Sequence, residues 1–277
     1  MFRIIKKEQL ANSVKKIVVE APLVSLNAKA GQFVVVMVDG EGERIPLTLA
    51  DTDKEKGLIT LIFQEVGYTT KKLGTLEEGD DIFSILGPLG KPTDLEKFGT
   101  AICIGGGVGI AEILPVSKAF KKAGNKVLGI IGARSKDLLI LENEMKESCD
   151  ELFVTTDDGS YGRKGFVTGV LKELLDKESD PKDGLIVYAI GPVPMMAKVS
   201  EVTKLFKVKT IVSLNPIMVD ATGMCGSCRV TVAGETKFGC VDGPEFDAHQ
   251  VDFKELMERL VFFKVEEECL NNKCPRK

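Results

Sequence analysis

The sequence has no tryptophan and a single histidine, His249. One histidine cannot build a two-histidine metal site and argues against a Ser/His/Asp hydrolase. It also has no basic excess: 37 lysines and arginines face 41 acidic residues, a net charge of -4. That excludes the electrostatic footprint of a nucleic-acid binder. Long apolar runs are missing too. The longest weakly charged stretch, 99–116, is interrupted by Gly105, Gly106, Gly107, Gly109 and Glu112, so no membrane span is expected. The opening MFRIIKKEQL has no continuous apolar core, so no signal peptide is expected and the expected compartment is the cytoplasm. What is present is an ordinary globular composition, 44% apolar and 28% charged, over 277 residues. That is enough for two domains and an appended module. Seven cysteines remain to be explained.

Three compositional regimes follow one another. Residues 1–97 read as short strands at 17–19, 33–38, 58–64 and 82–85, punctuated by glycines. This is the signature of an antiparallel barrel or sandwich. From 98 to 215 apolar runs alternate with helical patterns: strands at 100–104, 126–131, 151–155 and 184–190, helices at 110–123, 136–147, 167–177 and 194–205. Such alternation predicts an α/β domain on a parallel sheet. Residues 216–277 hold a cysteine cluster, a strand at 229–232, a Gly/Pro/Asp-rich loop and a charged tail.

The cluster reads Asp220-x4-Cys225-x2-Cys228-x11-Cys240. Zinc would take a fourth ligand of the same kind. Plant-type iron–sulfur loops use C-x4-C-x2-C and a distant fourth cysteine. The spacing matches that layout, with Asp220 in the first position and Gly223 and Gly226 free to wrap backbone around inorganic sulfide. A [2Fe–2S] cluster is the favoured reading, and a structural zinc knuckle stands beside it. Cys269 or Cys274 could replace Asp220 as fourth ligand. Cys103 and Cys149 read as buried structural thiols.

Gly105-Gly106-Gly107-Val108-Gly109 lies between a strand and a helix, where backbone can approach a pyrophosphate. It is neither a clean G-x-G-x-x-G nor a Walker loop, and a plain βα turn is the bland alternative. At the end of the next strand Arg134 and Ser135 replace the acid that grips a free 2′-hydroxyl, a local lean toward NADP. Gly191, Pro192 and Met195 open a later helix and would border the nicotinamide. Asp157 and Asp158 are ribose candidates or a solvated turn. In the barrel half, Arg44, Pro46, Leu47 and Thr48 combine a phosphate-binding fork, a strand break and a hydroxyl. Val66, Gly67, Thr69 and Thr70 form a second possible phosphate cradle, and Phe63 a further lining candidate.

The order Arg44-x-Pro-Leu-Thr48, Gly67-x-x-Thr70, Gly87-Pro-Leu-Gly90, Gly105–Gly109 and Gly191-Pro192-x-x-Met195 resembles the ferredoxin–NADP reductase superfamily over essentially the whole chain. The C-terminal cysteines resemble the branch that carries a [2Fe–2S] module. That branch includes the electron-transfer subunit of dihydroorotate dehydrogenase and the small subunit of NADH-dependent reduced ferredoxin:NADP oxidoreductase. Asp220 in place of a cysteine, and the segment 241–247, favour the second. Ile190 stands where relatives often carry a cysteine before Gly-Pro. The resemblance implies an FAD-binding β-barrel, a Rossmann-like NAD domain and a cluster module. It implies hydride exchange between NAD(H) and FAD, with single electrons relayed by the cluster. Arg44 and Thr70 would hold the FAD pyrophosphate, and Pro46, Leu47 and Thr48 the isoalloxazine, with Thr48 as the reacting-site hydroxyl. Gly106, Gly107, Val108 and Gly109 would face the dinucleotide. The implied partner is a larger flavoprotein resembling the glutamate synthase small subunit, with FAD and [4Fe–4S] clusters, reaching ferredoxin through an electron-bifurcating complex. On nucleotide choice the resemblance assigns NAD(H), against the local lean of Arg134 and Ser135.

An oxygen ligand donates less electron density than a thiolate. Asp220→Cys is therefore expected to lower the cluster's reduction potential. A redox titration followed by the cluster's visible band checks this, and an unchanged or raised potential refutes the oxygen ligand.

Overall fold

The computed structural model describes residues 1–177 and 184–262. The first unit comprises β1 (Phe2–Ala11), β2 (Val14–Glu20), α1 (Pro22–Asn27), β3 (Phe33–Met37), β4 (Arg44–Asp53), β5 (Leu58–Gln64), α2 (Tyr68–Leu73), β6 (Asp81–Ile82) and β7 (Ser84–Leu89). Its strands form one antiparallel sheet of order β6-β1-β2-β5-β4-β3-β7 that curls into a nearly closed barrel. Alternation sorts the side chains between its two faces. Val34 and Val36 of β3, Leu47 and Leu49 of β4, and Ile59, Leu61 and Phe63 of β5 fill the barrel core. Phe33 and Val35 face outward.

The second unit follows the strand–helix pattern. Its elements are β8 (Thr100–Gly106), α3 (Gly109–Lys122), β9 (Lys126–Ala133), α4 (Glu142–Ser148), β10 (Glu151–Thr156), β11 (Arg163–Lys164), α5 (Val167–Lys177), β12 (Leu185–Ile190), α6 (Val193–Phe206) and β13 (Lys209–Ser213). The strands pair in parallel in the order β11-β10-β9-β8-β12-β13. The order reverses between β8 and β12, and such a switch point opens a crevice at the strands' carboxyl ends. α5 and α6 cover one face of the sheet. α3 and α4 cover the other, where Ala11, Val14, Ala50 and Ile62 of the barrel join the same core. The helix expected over 136–147 is interrupted: a short 3-10 turn at Lys136–Leu138 precedes α4, and Leu141 between them has φ +55°.

The third unit contains β14 (Arg229–Val232), β15 (Glu235–Phe238), β16 (Glu245–Asp247) and α7 (Phe253–Leu260). It is woven into both others. β16 pairs antiparallel with β13 at the edge of the parallel sheet. Met218, Ala221, Cys228 and Cys240 pack against Phe33 and Val35 of the barrel. Among the described residues no helix is long and apolar enough to cross a membrane.

Glu245 marks the place where the three units meet. Thr93 Oγ1 donates to its Oε1 at 2.6 Å, and Tyr188 of β12 bonds it from the parallel sheet. Gly31 (φ +82°) closes the barrel side, where a Cβ would lie 2.6 Å from that carboxyl oxygen. Burial pushes the Glu245 carboxyl up from its ordinary 4.5 to about 7, against the Thr93 and Tyr188 hydrogen bonds. The folded chain therefore holds a proton that the unfolded chain releases between these values. Stability should fall as pH rises from about 4.5 to about 7, and Glu245→Gln should flatten that slope. Thermal melts across this window check it; a variant with the parent's slope would contradict the assignment.

Candidate functional site

The switch-point crevice is built by glycines. A Cβ on Gly109 would lie 2.4 Å from the Ile190 carbonyl oxygen, and one on Gly106 would lie 2.4 Å from Met195 Sδ. These absences of side chain let the turn after β8 touch the turn after β12. Gly191 packs on Gly106 in return. Gly107 differs: its φ is +57°, its N–H donates to the Gly132 carbonyl, and nothing lies within 4 Å of where its Cβ would be. Val108 caps α3. Gly107 thus leaves an open cradle at a helix start, the arrangement that accepts a pyrophosphate. Met195 lies beside the cradle, whereas Met196 is core.

Further along the sheet, Arg134, Ser135, Asp157 and Asp158 come together at the ends of β9 and β10. The N–H of Asp157 donates to Ala133 and that of Asp158 to the Arg134 carbonyl. The Ser160 hydroxyl holds the Asp158 carboxyl below its ordinary range. Asp157, Asp158 and Arg134 are exposed, as a ribose site at the rim requires.

On the barrel, Met37 pairs with Arg44, Val35 with Pro46 and Phe33 with Thr48. Arg44, Pro46 and Thr48 therefore share the outer face with Phe33 and Val35. Leu47 does not: its side chain is in the barrel core, so it can offer a ligand only backbone. Phe63 is likewise core and 2% exposed, which removes it from any lining role. Ile59 and Leu61, its alternation partners on β5, share that core. At the start of β4, Glu43 accepts from Thr69 Oγ1 at 3.3 Å, which brings Arg44 beside the start of α2. Thr70 Oγ1 receives the Gly67 N–H and donates to the Gly67 carbonyl, both at 3.0 Å. Val66 is exposed at this turn. The segment is a capped cradle next to the half-exposed Arg44 guanidinium, whose Nη1 also faces Asp220 Oδ1 at 3.9 Å.

Thr48 faces α3, close to the carboxyl of Glu112 on that helix's first turn. Burial pushes Glu112 up to about 7, partly opposed by the polar Thr48 side chain. Glu112 appeared in the sequence only as a charge interrupting an apolar stretch. A glutamate three residues after a helix-opening glycine was the available signal.

The cysteine loop bends through left-handed residues at Ala221, Gly223 and Gly226. Cys228 and Cys240 are buried, with Sγ atoms 3.2 Å apart. Burial pushes Cys240 up to about 12, while the Gly223 N–H points at its sulfur. Cys225 is exposed; the Ser227 side chain and N–H and the Asp220 N–H lower its pKa. Asp220 is lowered first by the Thr222 hydroxyl, and Arg44 Nη1 lies 3.9 Å from its Oδ1. Among the described residues no three such side chains converge on one point. A [2Fe–2S] cluster has two irons with two protein ligands each. The chain supplies two pairs, Cys228 with Cys240 and Asp220 with Cys225, and N–H groups aimed at sulfur. The donor set fits that cluster. Cys269 and Cys274 lie outside the described residues. His249 bonds Thr203 Oγ1 at 3.0 Å and is a loop anchor.

Comparison with known proteins matches two segments of the chain to described domains. Residues 103–201 match the oxidoreductase NAD-binding domain, and 215–252 match the iron–sulfur cluster binding domain of dihydroorotate dehydrogenase B. The chain is 48% identical over 265 residues to a Thermotoga maritima protein described as an electron transfer subunit homolog of NAD(+)-dependent dihydroorotate dehydrogenase B, covering 95% of this chain and 92% of the relative. It is 48% identical over 274 residues to an uncharacterized Clostridium beijerinckii protein from the adh 3′ region, covering 96% and 92%. Among solved structures it is similar to a chain of NADH-dependent reduced ferredoxin-NADP oxidoreductase, studied for flavin-based electron bifurcation. That match has 44% identity and TM-score 0.92, covering 99% of this chain and 98% of the other. Phthalate dioxygenase reductase, at 17% identity, TM-score 0.61 and coverage of 83% and 85%, shares the fold.

Two glycines separate binding from folding. Gly107→Ala places a methyl in the open cradle at a strain of about 1–2 kcal/mol. It should weaken NADH binding while the protein stays folded. Gly109→Ala should destabilise the fold by about 2 kcal/mol, because the methyl meets the Ile190 carbonyl. Dinucleotide titration and thermal melts on both variants distinguish these outcomes.

Proposed function

The chain belongs to the family of dihydroorotate dehydrogenase B electron-transfer subunits and their homologues, and from that premise we propose that it is the NAD-linked flavin and iron–sulfur subunit of an electron-bifurcating complex. It is an oxidoreductase whose cofactors are NAD(H), FAD and a [2Fe–2S] cluster. The observation that carries the proposal is the shared outer face of β3 and β4, which meets the α3 turn on one side and the cysteine loop on the other. Bound FAD supplies the exchange of a hydride for two single electrons, which a nicotinamide alone does not perform.

The chain's residues divide the task. Arg44, Gly67, Thr69 and Thr70 hold the FAD pyrophosphate, with Val66 at the rim. Pro46 and the backbone of Leu47 line the isoalloxazine, and Thr48 Oγ stands at its reacting edge. Gly106, Gly107, Val108 and Gly109 seat the dinucleotide phosphates. Gly191, Pro192 and Met195 border the nicotinamide, and Ser135, Asp157 and Asp158 the ribose. Asp220, Cys225, Cys228 and Cys240 ligate the cluster. The larger partner receives electrons from the cluster and resembles the glutamate synthase small subunit, with its own FAD and [4Fe–4S] clusters and access to ferredoxin. NAD(H) is the nucleotide of this chain, and Arg134 is a rim residue without a 2′-phosphate to bind.

A second reading, in which the partner oxidises dihydroorotate, is favoured by the descriptions of several relatives, such as one from Fusobacterium nucleatum at 33% identity. Stopped-flow mixing of the reconstituted chain with NADH tests the main reading. The flavin band should bleach first and the cluster band should follow, and a flavin indifferent to NADH would refute it. Co-purification with a glutamate-synthase-like subunit, rather than a dihydroorotate-oxidising one, decides the partner.

A further inference from the structure

The cysteine loop is held from outside by two arginines. Arg229 Nη1 donates to the Gly226 carbonyl at 3.3 Å, and Arg259 Nη2 donates to the Ser227 carbonyl at 3.1 Å. Gly226 and Ser227 are the residues that separate Cys225 from Cys228. Arg259 reaches them from α7. That helix starts at Asp252, whose side chain accepts the Glu255 N–H at 2.9 Å, and it buries Leu256 in the core shared with α6. The last turn of α7 then lies beside β14, with Arg259 half-buried against the loop. Pro216, Ile217, Leu256, Leu260 and Phe262 line an apolar recess next to both guanidinium groups. Among the described residues neither guanidinium has a carboxylate within ion-pair distance; both are spent on loop carbonyls.

A trans peptide is planar, so its C=O and N–H point in opposite directions. The Gly226 carbonyl shares a peptide with the Ser227 N–H. With that carbonyl on Arg229, the Ser227 N–H turns the other way, where it meets the Cys225 sulfur. The Ser227 carbonyl shares a peptide with the Cys228 N–H. With it on Arg259, the Cys228 N–H is turned away from α7. Gly226 has φ +71°, and glycine is too permissive to fix by itself which way the next peptide faces. The restraint comes from the arginines.

We infer that Arg259, with Arg229 beside it, is a positioning residue of the cluster: the two guanidinium groups hold the loop carbonyls outward, keep the loop N–H groups on the cysteine side and raise the cluster's reduction potential. The inference rests on the reading of Asp220, Cys225, Cys228 and Cys240 as cluster ligands. Reduction adds a negative charge to the cluster, so hydrogen bonds to sulfur and nearby cations both favour the reduced form. Arg259 carries the larger share. It stands beside an apolar recess, whereas Arg229 is exposed and its charge is screened by salt.

The test uses the full chain with FAD and cluster, titrated with dithionite and followed by the cluster's visible band and by electron paramagnetic resonance of the reduced form. Arg259→Met keeps an alkyl stem and removes the charge and the donor. It should disfavour cluster reduction about tenfold, a fall of about 59 mV for one electron, and shift the g values. Arg259→Lys returns a charged donor and should recover most of the lost potential, a rescue that packing alone does not give. Arg229→Met should produce a smaller fall that fades as salt is raised. If Arg259→Met does not fold, Arg259→Gln, a donor without charge, should still lower the potential. An intact cluster at the parent's potential in the Met or Gln variant overturns the inference alone, and so does Arg259→Lys with the same loss as Arg259→Met. A parent chain that shows no [2Fe–2S] band overturns both the inference and the ligand reading beneath it.

Discussion

The packing of one sheet face orders the rest of the molecule. The outward side of β3 and β4 is apolar at Phe33 and Val35 and polar at Arg44 and Thr48. Apolar positions recruit the cysteine module, whose Met218, Ala221, Cys228 and Cys240 complete a small core against them. Polar positions are left to meet the first turn of α3 and the side chain of Asp220. Because alternation along a strand has period two, these assignments move together: a one-residue slip of β4 would bury Arg44 and Thr48 in the barrel and expose Leu47 and Leu49. The register of a single strand thus determines whether three ligand-binding segments can share one neighbourhood.

The same constraint explains why the parallel-sheet domain sits where it does. Ala11, Val14, Ala50 and Ile62 are barrel residues, yet they belong to the core beneath α3 rather than to the barrel's own. All four are small or β-branched, so the two sheets approach closely without a wedge of aromatic side chains. α3 is then trapped between the barrel and its own sheet. Its first turn can go nowhere but the junction, and the glycines before it let the β8 and β12 turns close behind. The electrostatic consequence falls on whatever acid that turn carries.

Much of this was legible in the sequence. Strand–helix alternation from 98 to 215 and the glycine loop follow from local chemistry, and the helix start after Gly109 could be placed from composition alone. The x4, x2 and x11 spacings, read with Asp220 as a ligand, correspond to two adjacent pairs in the structure. What was not legible depends on contacts distant in sequence. Leu47 and Phe63 were reasonable cofactor contacts until the barrel closed and put their side chains inside it. Leu141, with its left-handed backbone, broke a helix that periodicity had run on to 147. Glu112 and Glu245 carry no motif. Their significance arises from burial by segments 64 and 152 residues away, Thr48 in one case and Thr93 in the other.

Those two acids also show what replaces histidine in this chain. Near-neutral proton exchange needs a group with a pKa near 7, and imidazole is the usual choice. The lone histidine is committed to Thr203, and burial lowers its pKa. The chain instead raises two carboxyls by burial, to about 7 in each case. Their surroundings then separate them. Glu245 is tied to Thr93 and Tyr188, both fixed parts of the fold, so its proton is an element of architecture. Glu112 instead lies near Thr48 on the outer face of β4. Similar acidity thus comes with different surroundings: Glu112 lies at the junction of the barrel and α3, and the hydrogen bonding of Glu245 holds three units together.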